Sequence, residues 1–363
     1  MKKIPVYQPL LAGNEIEYVN NCLKTTWISS KGEYILKFEE EFAKYIDIDY
    51  ATTVSNGTVA LHLALLVLGI EKDDEIIVPT LTYIASINAI SMVGAKPIFV
   101  DSNKDSWNME CELIESKITN KTKAIMAVHL YGMPCDMSTL RSICDKHNLY
   151  LIEDAAEAFG SKFDNKFTGT FGDISTFSFF GNKTITTGEG GMLVSNNQSF
   201  IRRAEYLKSQ SVSNIKEYWH DEVGYNYRMT NICGAIGLAQ LEQASEIIEK
   251  KVQIAQWYKS GLKKLPVTFQ SDNPKCFNSF WMVSILAENK EIRDSIREYL
   301  KLNGIETRPL FYPAHTMPVF KNDEAYPISE FLSDRGMNLP SYPGLTKDDV
   351  DYICSMMIRT FNN

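Results

Sequence analysis

The chain has no C-x-x-C pair, no surplus of basic residues and no apolar run long enough to cross a bilayer, and each absence removes a class of function. Its seven cysteines (Cys22, Cys111, Cys135, Cys144, Cys233, Cys276 and Cys354) are odd in number and dispersed. That pattern excludes a disulfide scaffold and reads as free thiols in a reducing compartment. A formal net charge of -8 lacks the basic face of a nucleic-acid binder. A locally positive pocket for one anion remains compatible with an acidic chain. Spanning a membrane takes about 20 consecutive apolar residues, and the start Met1-Lys2-Lys3-Ile4-Pro5 leads into a polar stretch rather than an apolar signal core. A cytoplasmic location is therefore expected, with neither membrane nor nucleic acid as partner. In that compartment the sequon Asn56-Gly57-Thr58 is accidental. No metal is assigned.

What is present is an ordinary globular composition, 44% hydrophobic and 23% charged, over 363 residues. That length suits two domains. From about 50 to 200, short apolar runs alternate with helical patterns. Ala51–Val54, Glu75–Val78, Pro97–Asp101, Ala124–Leu130 and Leu149–Asp154 read as strands, and Thr58–Leu68, Ile84–Val93 and Met137–His147 as helices. This alternation implies an α/β fold with a mostly parallel sheet covered on both faces. After Asp154 the rhythm changes to two strands, Asp173–Phe180 and Gly191–Ser195, joined by a loop without a helix. Residues 235–264 read as one long helix leading into a smaller α+β unit. That unit holds a strand at Ser279–Leu286, a helix at Glu291–Leu302, a strand at Ile305–Leu310 and a last helix opening at Thr346 with Asp349 in a capping-box arrangement. The expected division is a large α/β domain over 1–240 and a smaller α+β domain over 241–363.

The richest segment is Thr176–Gly191, TFSFFGNKTITTGEGG, where Lys183 lies in a loop of small and hydroxyl residues after an apolar strand. A lysine desolvated by aromatics has its pKa lowered and becomes an amine nucleophile; a solvated surface lysine is the ordinary alternative. Asp154 ends an apolar strand, where open α/β sheets bind ligands. A carboxylate there can pair with a protonated pyridine nitrogen, or it can simply cap a helix at Ala155–Phe159. Glu157, three residues on, reaches the same ligand or faces solvent. Ser55-Asn56-Gly57-Thr58 follows a strand and opens a helix, so the amides of Gly57 and Thr58 form either a phosphate cradle or a plain turn. Tyr83 can stack on a planar ring or pack in the core. Each signal is modest alone. Together, in one order along one sheet, they describe a Schiff-base lysine site for pyridoxal 5'-phosphate (PLP).

The motifs SNGTVALHLAL, PTLTYIAS, LIEDAAEAFGS, GTFGDISTFSFFGNKTITTGEGGM and YNYRMTNI resemble those of the PLP-dependent sugar-nucleotide aminotransferases, nearly end to end. The resemblance implies fold type I, the aspartate aminotransferase architecture. It implies Lys183 as the lysine that carries the cofactor and shuttles the proton, Asp154 at the pyridine nitrogen and Glu157 near the ring hydroxyl, where many relatives have Gln or His. Gly57, Thr58 and Ser178 would hold the phosphate, Tyr83 would stack on the ring, and Asn226 would reach the cofactor of a neighbouring subunit. A homodimer with shared sites, or a larger assembly such as a tetramer, follows from that last role. His220, Arg308, Tyr312 and His315 are candidates for the sugar or its diphosphate, and Arg228 for the donor carboxylate. Core packing and surface charge are the ordinary alternatives for these residues. Within the family, WISSKGEYI, WHDEVGYNYRMTN, TRPLFYPAHTMP and NLPSYPGL resemble the members that aminate C4 of GDP-4-keto-6-deoxymannose to GDP-perosamine, a surface-polysaccharide precursor. Those members use L-glutamate as donor and pyridoxamine phosphate as the aminated cofactor. Sister 3-dehydratases carry histidine where Lys183 stands, so amination is favoured. Another UDP- or dTDP-linked keto sugar, amination at C3, and a PLP-binding regulatory protein without turnover are the alternatives.

Overall fold

The computed structural model describes residues 3–362. Its main sheet has seven strands, β1 (Tyr50–Val54), β2 (Glu75–Pro79), β3 (Lys96–Val100), β4 (Thr122–Val128), β5 (Tyr150–Asp154), β6 (Ile174–Ser178) and β7 (Gly191–Ser195). Their spatial order is β1-β7-β6-β5-β4-β2-β3. Strands β2 to β6 pair in parallel, and β7 runs antiparallel to both β6 and β1. The antiparallel run of β7 follows from the helix-free β6–β7 connection, since a parallel return needs a crossover of a dozen residues or more.

Helices cover both faces: α1 (Glu15–Thr25), α2 (Glu33–Ile46), α3 (Gly57–Val67), α4 (Ala85–Met92), α5 (Met137–His147), α6 (Gln198–Lys208) and α7 (Asn231–Glu242). Side-chain alternation along the strands divides the core. Ile76, Val78, Ala124, Met126 and Ile152 join one cluster with α3 and α4, whereas Ile77, Ile125, Ala127 and Leu151 join another with α5. Strands buried on both faces read as the near-continuous apolar runs found in the sequence.

Residues 235–264 are not one helix. The chain leaves the helical region at Gln243 (φ -98°, ψ 2°), whose N–H turns back to the carbonyls of Gln240 and Leu241. The next helix, α8 (Ala244–Gly261), starts there and contributes to two cores: Ile247 and Ile248 pack with the main sheet's cluster, Ile254 and Tyr258 with that of the second sheet. That sheet has four strands, β8 (Thr268–Phe269), β9 (Val283–Leu286), β10 (Arg308–Pro309) and β11 (Gly336–Leu339), in the order β8-β9-β11-β10. It carries α9 (Lys290–Leu302), α10 (Pro327–Arg335) and α11 (Lys347–Asn362). The Thr346/Asp349 arrangement opens α11 as expected: Asp349 N–H donates to Thr346 Oγ1 at 3.2 Å, and Thr346 N–H to Asp349 Oδ2 at 3.3 Å. Two expected strands are shorter than their apolar runs. Ser279–Met282 stays out of the ladder, and the 305–310 run joins the four-stranded sheet only at Arg308–Pro309. The N-terminal segment belongs to this end of the molecule, since Ile4 bridges to Ile305. Helices α1, α2, α6 and α10 lie outside the elements expected from the sequence.

Candidate active site

The carboxyl ends of β1, β2, β4, β5 and β6 converge on one cleft of about 550 Å³. Asn56, Gly57, Thr58, Tyr83, Asp154, Glu157, Ser178, Asn182 and Lys183 line it. A cleft at the carboxyl edge of a parallel sheet is where the fold leaves loop ends free to carry chemistry.

Local sequence dictates each wall. The Asn56 side chain caps α3 by accepting from Val59 N at 2.9 Å, while the first-turn amides of Gly57 and Thr58 have no acceptor within the helix. They face the cleft at a positive helix terminus. A Cβ on Gly57 would come within 2.7 Å of the Ser178 Cβ, and one on Gly191 within 2.6 Å of the Asn56 carbonyl oxygen. These two glycines let β6, β7 and the α3 turn pack at backbone distance, which brings Ser178 beside the amides. Tyr83 is 55% exposed within this opening, its ring 5.6 Å from that of Phe311. A broad aromatic face is thereby available to a planar ligand.

Asp154 is buried, and its carboxylate accepts from Ser86 Oγ at 2.7 Å and from Ala156 N at 3.1 Å. No helix follows it. Residues 155–160 form tight turns, with Ala158 N bonded to Ala155 O and Ser161 N to Ala158 O. The preceding residue explains why. Glu153 is fully buried and accepts from Gly169 N, Phe171 N, Gly172 N and Ser175 Oγ at 2.6 to 3.1 Å, and pairs with His129 Nε2 at 3.0 Å. Since His129 Nδ1 accepts from Cys135 N, Nε2 carries the ring proton and donates to Glu153. Adjacent carboxylates thus serve opposite faces of the sheet, Glu153 holding the 169–172 loop and Asp154 facing the cleft.

Lys183 Nζ lies 3.8 Å from Glu157 Oε1 and 3.9 Å from the centroid of the Trp281 ring. Burial lowers its pKa, and the nearby carboxylates of Glu157 and Asp154 oppose that shift. Burial raises the Glu157 carboxyl to about 7, against the pull of the Lys183 ammonium and of the Tyr131 N–H that its Oε2 accepts at 2.9 Å. Burial thus opposes charge on both groups, while their mutual attraction favours it.

Other candidates lie apart from the cleft. Asn226 is exposed and its side-chain oxygen accepts from Arg228 at 3.0 Å. His220 is exposed and bonds Gln210 O at 2.7 Å. Arg308 is exposed and paired with Glu306 at 2.6 Å, and Tyr312 is likewise exposed. His315 is buried with both ring nitrogens engaged, Nδ1 with Thr80 Oγ1 at 2.8 Å and Nε2 with Glu330 Oε1 at 3.1 Å. It points into the core between β2 and α10.

Several cleft residues went unforeseen in the sequence: Ser86, Asn182, Trp281 and Phe311, with Tyr131 and Tyr7 behind them. Only Ser86 leaves a trace, a hydroxyl three residues after Tyr83 near the start of α4. The whole cleft fits a phosphate-bearing pyridine ring. It offers free helix-terminal amides with a hydroxyl beside them, an exposed aromatic face, a carboxylate with spare acceptor capacity, and an amine without a hydrogen bond. Asn182 Oδ1, buried without a partner, awaits a donor from a ligand.

Residues 9–358 match the model of the DegT/DnrJ/EryC1/StrS aminotransferase family. The chain is 59% identical over its full length to a GDP-perosamine synthase of Escherichia coli O157:H7, covering 100% of each. A GDP-perosamine synthase of Vibrio cholerae is 52% identical, with 99% of each chain covered. Among solved structures, a Streptococcus pneumoniae protein in its PLP-form superposes with a TM-score of 0.94, at 27% identity and 99% coverage of both chains.

Proposed function

The chain belongs to the DegT/DnrJ/EryC1/StrS aminotransferase family and is a PLP-dependent sugar aminotransferase; from that premise we propose that it moves an amino group from L-glutamate to C4 of GDP-4-keto-6-deoxy-D-mannose, giving GDP-perosamine. One observation carries the specificity: the likeness to GDP-perosamine synthases from two organisms over 100% and 99% of the chain.

Bound in the cleft, PLP supplies an electron sink and stores the amino group between donor and acceptor. The residues do the rest. Gly57 and Thr58 at the head of α3, with Ser178, would hold the phosphate end, and Tyr83 would cover one face of the ring. Asp154, fixed by Ser86 and the Ala156 amide, would pair with the pyridine nitrogen. Lys183 would be the covalent anchor and, once displaced, the base that moves the proton at the reacting carbon; burial lowers its pKa, which favours the free amine. Glu157, 3.8 Å from Lys183 Nζ, would face the phenolic side of the ring.

Asn226, His220 and Arg228 lie outside this chain's own cleft, on a surface that also exposes Ile215, Tyr218, Trp219 and Val223. That arrangement supports a homodimer in which Asn226 completes the partner's phosphate site, with Arg228 offered to the donor carboxylate. Arg308, Tyr312 and His315 are assigned to the sugar side, His315 through the segment it anchors. The large domain over 1–240, the small domain over 241–363 and a cytoplasmic location complete the reading. No described helix is long and apolar enough to cross a membrane.

Incubation with glutamate and a panel of 4-keto-sugar nucleotides, followed by product mass and stereochemistry, tests the assignment. Turnover of a UDP- or dTDP-linked sugar alone would remove the GDP-sugar specificity and leave the aminotransferase. Lys183→Ala should fold and abolish amination; near-normal turnover would overturn the central role of Lys183.

A further inference from the structure

A lysine side chain has four rotatable carbons, so its amine is placed only as well as its backbone is. The Asn182–Lys183 backbone is held in an unusual way. Its local bond is one turn, Lys183 N to Phe180 O at 2.9 Å. Its two carbonyls are taken by aromatic donors from elsewhere: the Tyr7 hydroxyl donates to Lys183 O, and Trp281 Nε1 donates to Asn182 O at 2.7 Å. Neither donor belongs to the seven-stranded sheet. Tyr7 lies on the N-terminal segment, where Val6 O accepts from Ser341 N at 3.2 Å and Val6 N donates to Glu306 Oε2 at 3.2 Å. Trp281 sits two residues before β9. Both are thus rooted in the four-stranded sheet. The Trp281 ring stacks on Tyr131 at 6.2 Å and 7°, and Tyr131 in turn holds Glu157. The buried Lys251, bonded to Ser341 O at 2.6 Å, sits 5.3 Å from the Tyr7 ring and backs it. With both carbonyls occupied from outside, the side-chain tips remain free for chemistry: among the described residues Asn182 Oδ1 has no hydrogen-bond partner, and Lys183 Nζ lies among Glu157 at 3.8 Å, the Trp281 ring and the Asp154 carboxylate without a hydrogen bond.

We infer that Tyr7 and Trp281 are positioning residues that clamp the lysine loop to the four-stranded sheet, so that the seating of that sheet sets where the Lys183 amine stands in the cleft. The inference rests on the aminotransferase activity but not on the identity of the sugar. Two hydroxyl- or indole-sized donors, about 100 and 180 residues distant in sequence from the backbone they hold, make the reacting amine a product of both sheets rather than of its own loop.

The test uses the PLP-loaded enzyme and the variants Tyr7→Phe and Trp281→Phe, which delete one donor each and keep an aromatic ring. Three quantities are read: the visible circular dichroism of the lysine-bound cofactor, the single-turnover rate of amino transfer from glutamate, and the glutamate KM. Each variant should bind PLP at full stoichiometry, change the cofactor's dichroic amplitude and lose about tenfold or more in single-turnover rate, because small misplacements of a reacting group are costly. The glutamate KM should stay within about threefold for Tyr7→Phe, whose hydroxyl lies behind the cleft and not in its lining. The double variant should lose less than the product of the two single losses, because both bonds hold one segment. Parent-like dichroism and rate in either variant that folds would overturn the clamp, as would a rate loss explained wholly by KM. If one variant fails to fold, the other decides alone.

Discussion

Replacing Glu157 by Gln should lower the pKa of the unliganded Lys183 amine, and the structure sets the size of the shift. The carboxylate stands 3.8 Å from Nζ. At an effective dielectric of about 20, two unit charges at that distance attract by about 4 kcal/mol, or about 3 pH units, which is a ceiling. Two facts reduce it. Glu157 itself titrates at about 7, so near neutral pH it carries only part of a charge. Asp154 also faces Lys183 and is unchanged by the substitution. A downward shift of about one unit remains, since the burial that depresses Lys183 persists. Gln keeps an oxygen for the Tyr131 N–H, so the turn is retained. The assay is the rate at which cofactor-free protein captures PLP as a function of pH, followed by the growth of its visible band. The midpoint should move to lower pH in the variant, and capture below the midpoint should quicken as more free amine is present. A midpoint that stays put or rises would refute the coupling.

The same residue makes an independent statement about stability. Its folded pKa of about 7 lies above the ordinary 4.5, so between those values the folded protein keeps a proton that the unfolded chain has released. Stability must then fall as pH rises through that window, by about 3 kcal/mol in all, and level off above it. Denaturant midpoints of the cofactor-free parent should show this extra decline from pH 5 to pH 7, and those of Glu157→Gln should lack it.

Three further outcomes are expected. Gly57→Ala places a methyl 2.7 Å from the Ser178 Cβ, at the point where β6 meets the α3 turn; PLP affinity should drop about tenfold or more by equilibrium dialysis, the cost of overpacking being about 1–3 kcal/mol. Glu153→Gln turns one acceptor of a fully buried five-donor site into a donor, so urea unfolding should register a loss of about 3–5 kcal/mol. Lys251 is fully buried with its pKa lowered from 10.5 to about 7; between these values the unfolded chain holds a proton that the folded one lacks, so the parent gains stability as pH rises. Lys251→Met removes that dependence, and its stability relative to the parent should decline by about 4 kcal/mol from pH 7 to pH 10.

How much of this was legible in the sequence depends on the range over which each feature is decided. Strands β1 to β7 and helices α3 to α5 were visible because burial on both faces writes continuous apolar runs between turn residues. Asp154, Gly57 and Thr58 were visible because a strand end or the turn after it carries them, and Lys183 because it is the lone lysine in a loop of small and hydroxyl residues; Ser178 entered only through the resemblance. Failures came where a neighbour distant in sequence made the decision. A helix at Ala155–Phe159 was one alternative for the segment after Asp154, and the chain turns there instead, where Glu153 draws in the 169–172 loop. The run 279–286 read as uniform strand, although Trp281 leaves the ladder to bond Asn182 across 99 positions. His315 was a candidate for the sugar side from its chemistry alone, and its bonds to Thr80 and Glu330, 235 and 15 positions away, were not legible.

The division has a physical basis. Strand ends and helix caps are set by local φ/ψ choices and by patterning, which a window of about ten residues contains. The second layer is set by which side chain happens to satisfy a backbone acceptor after the two sheets have docked, and no local window holds both partners. Tyr7 shows the consequence. In the sequence it is one of 18 tyrosines, near an unremarked terminus; in the fold its hydroxyl reaches the carbonyl of the lysine that anchors the cofactor. Local pattern therefore identifies the groups that do chemistry, whereas their placement is a property of the docked whole. Substitutions at the docking contacts should accordingly change rate before they change binding.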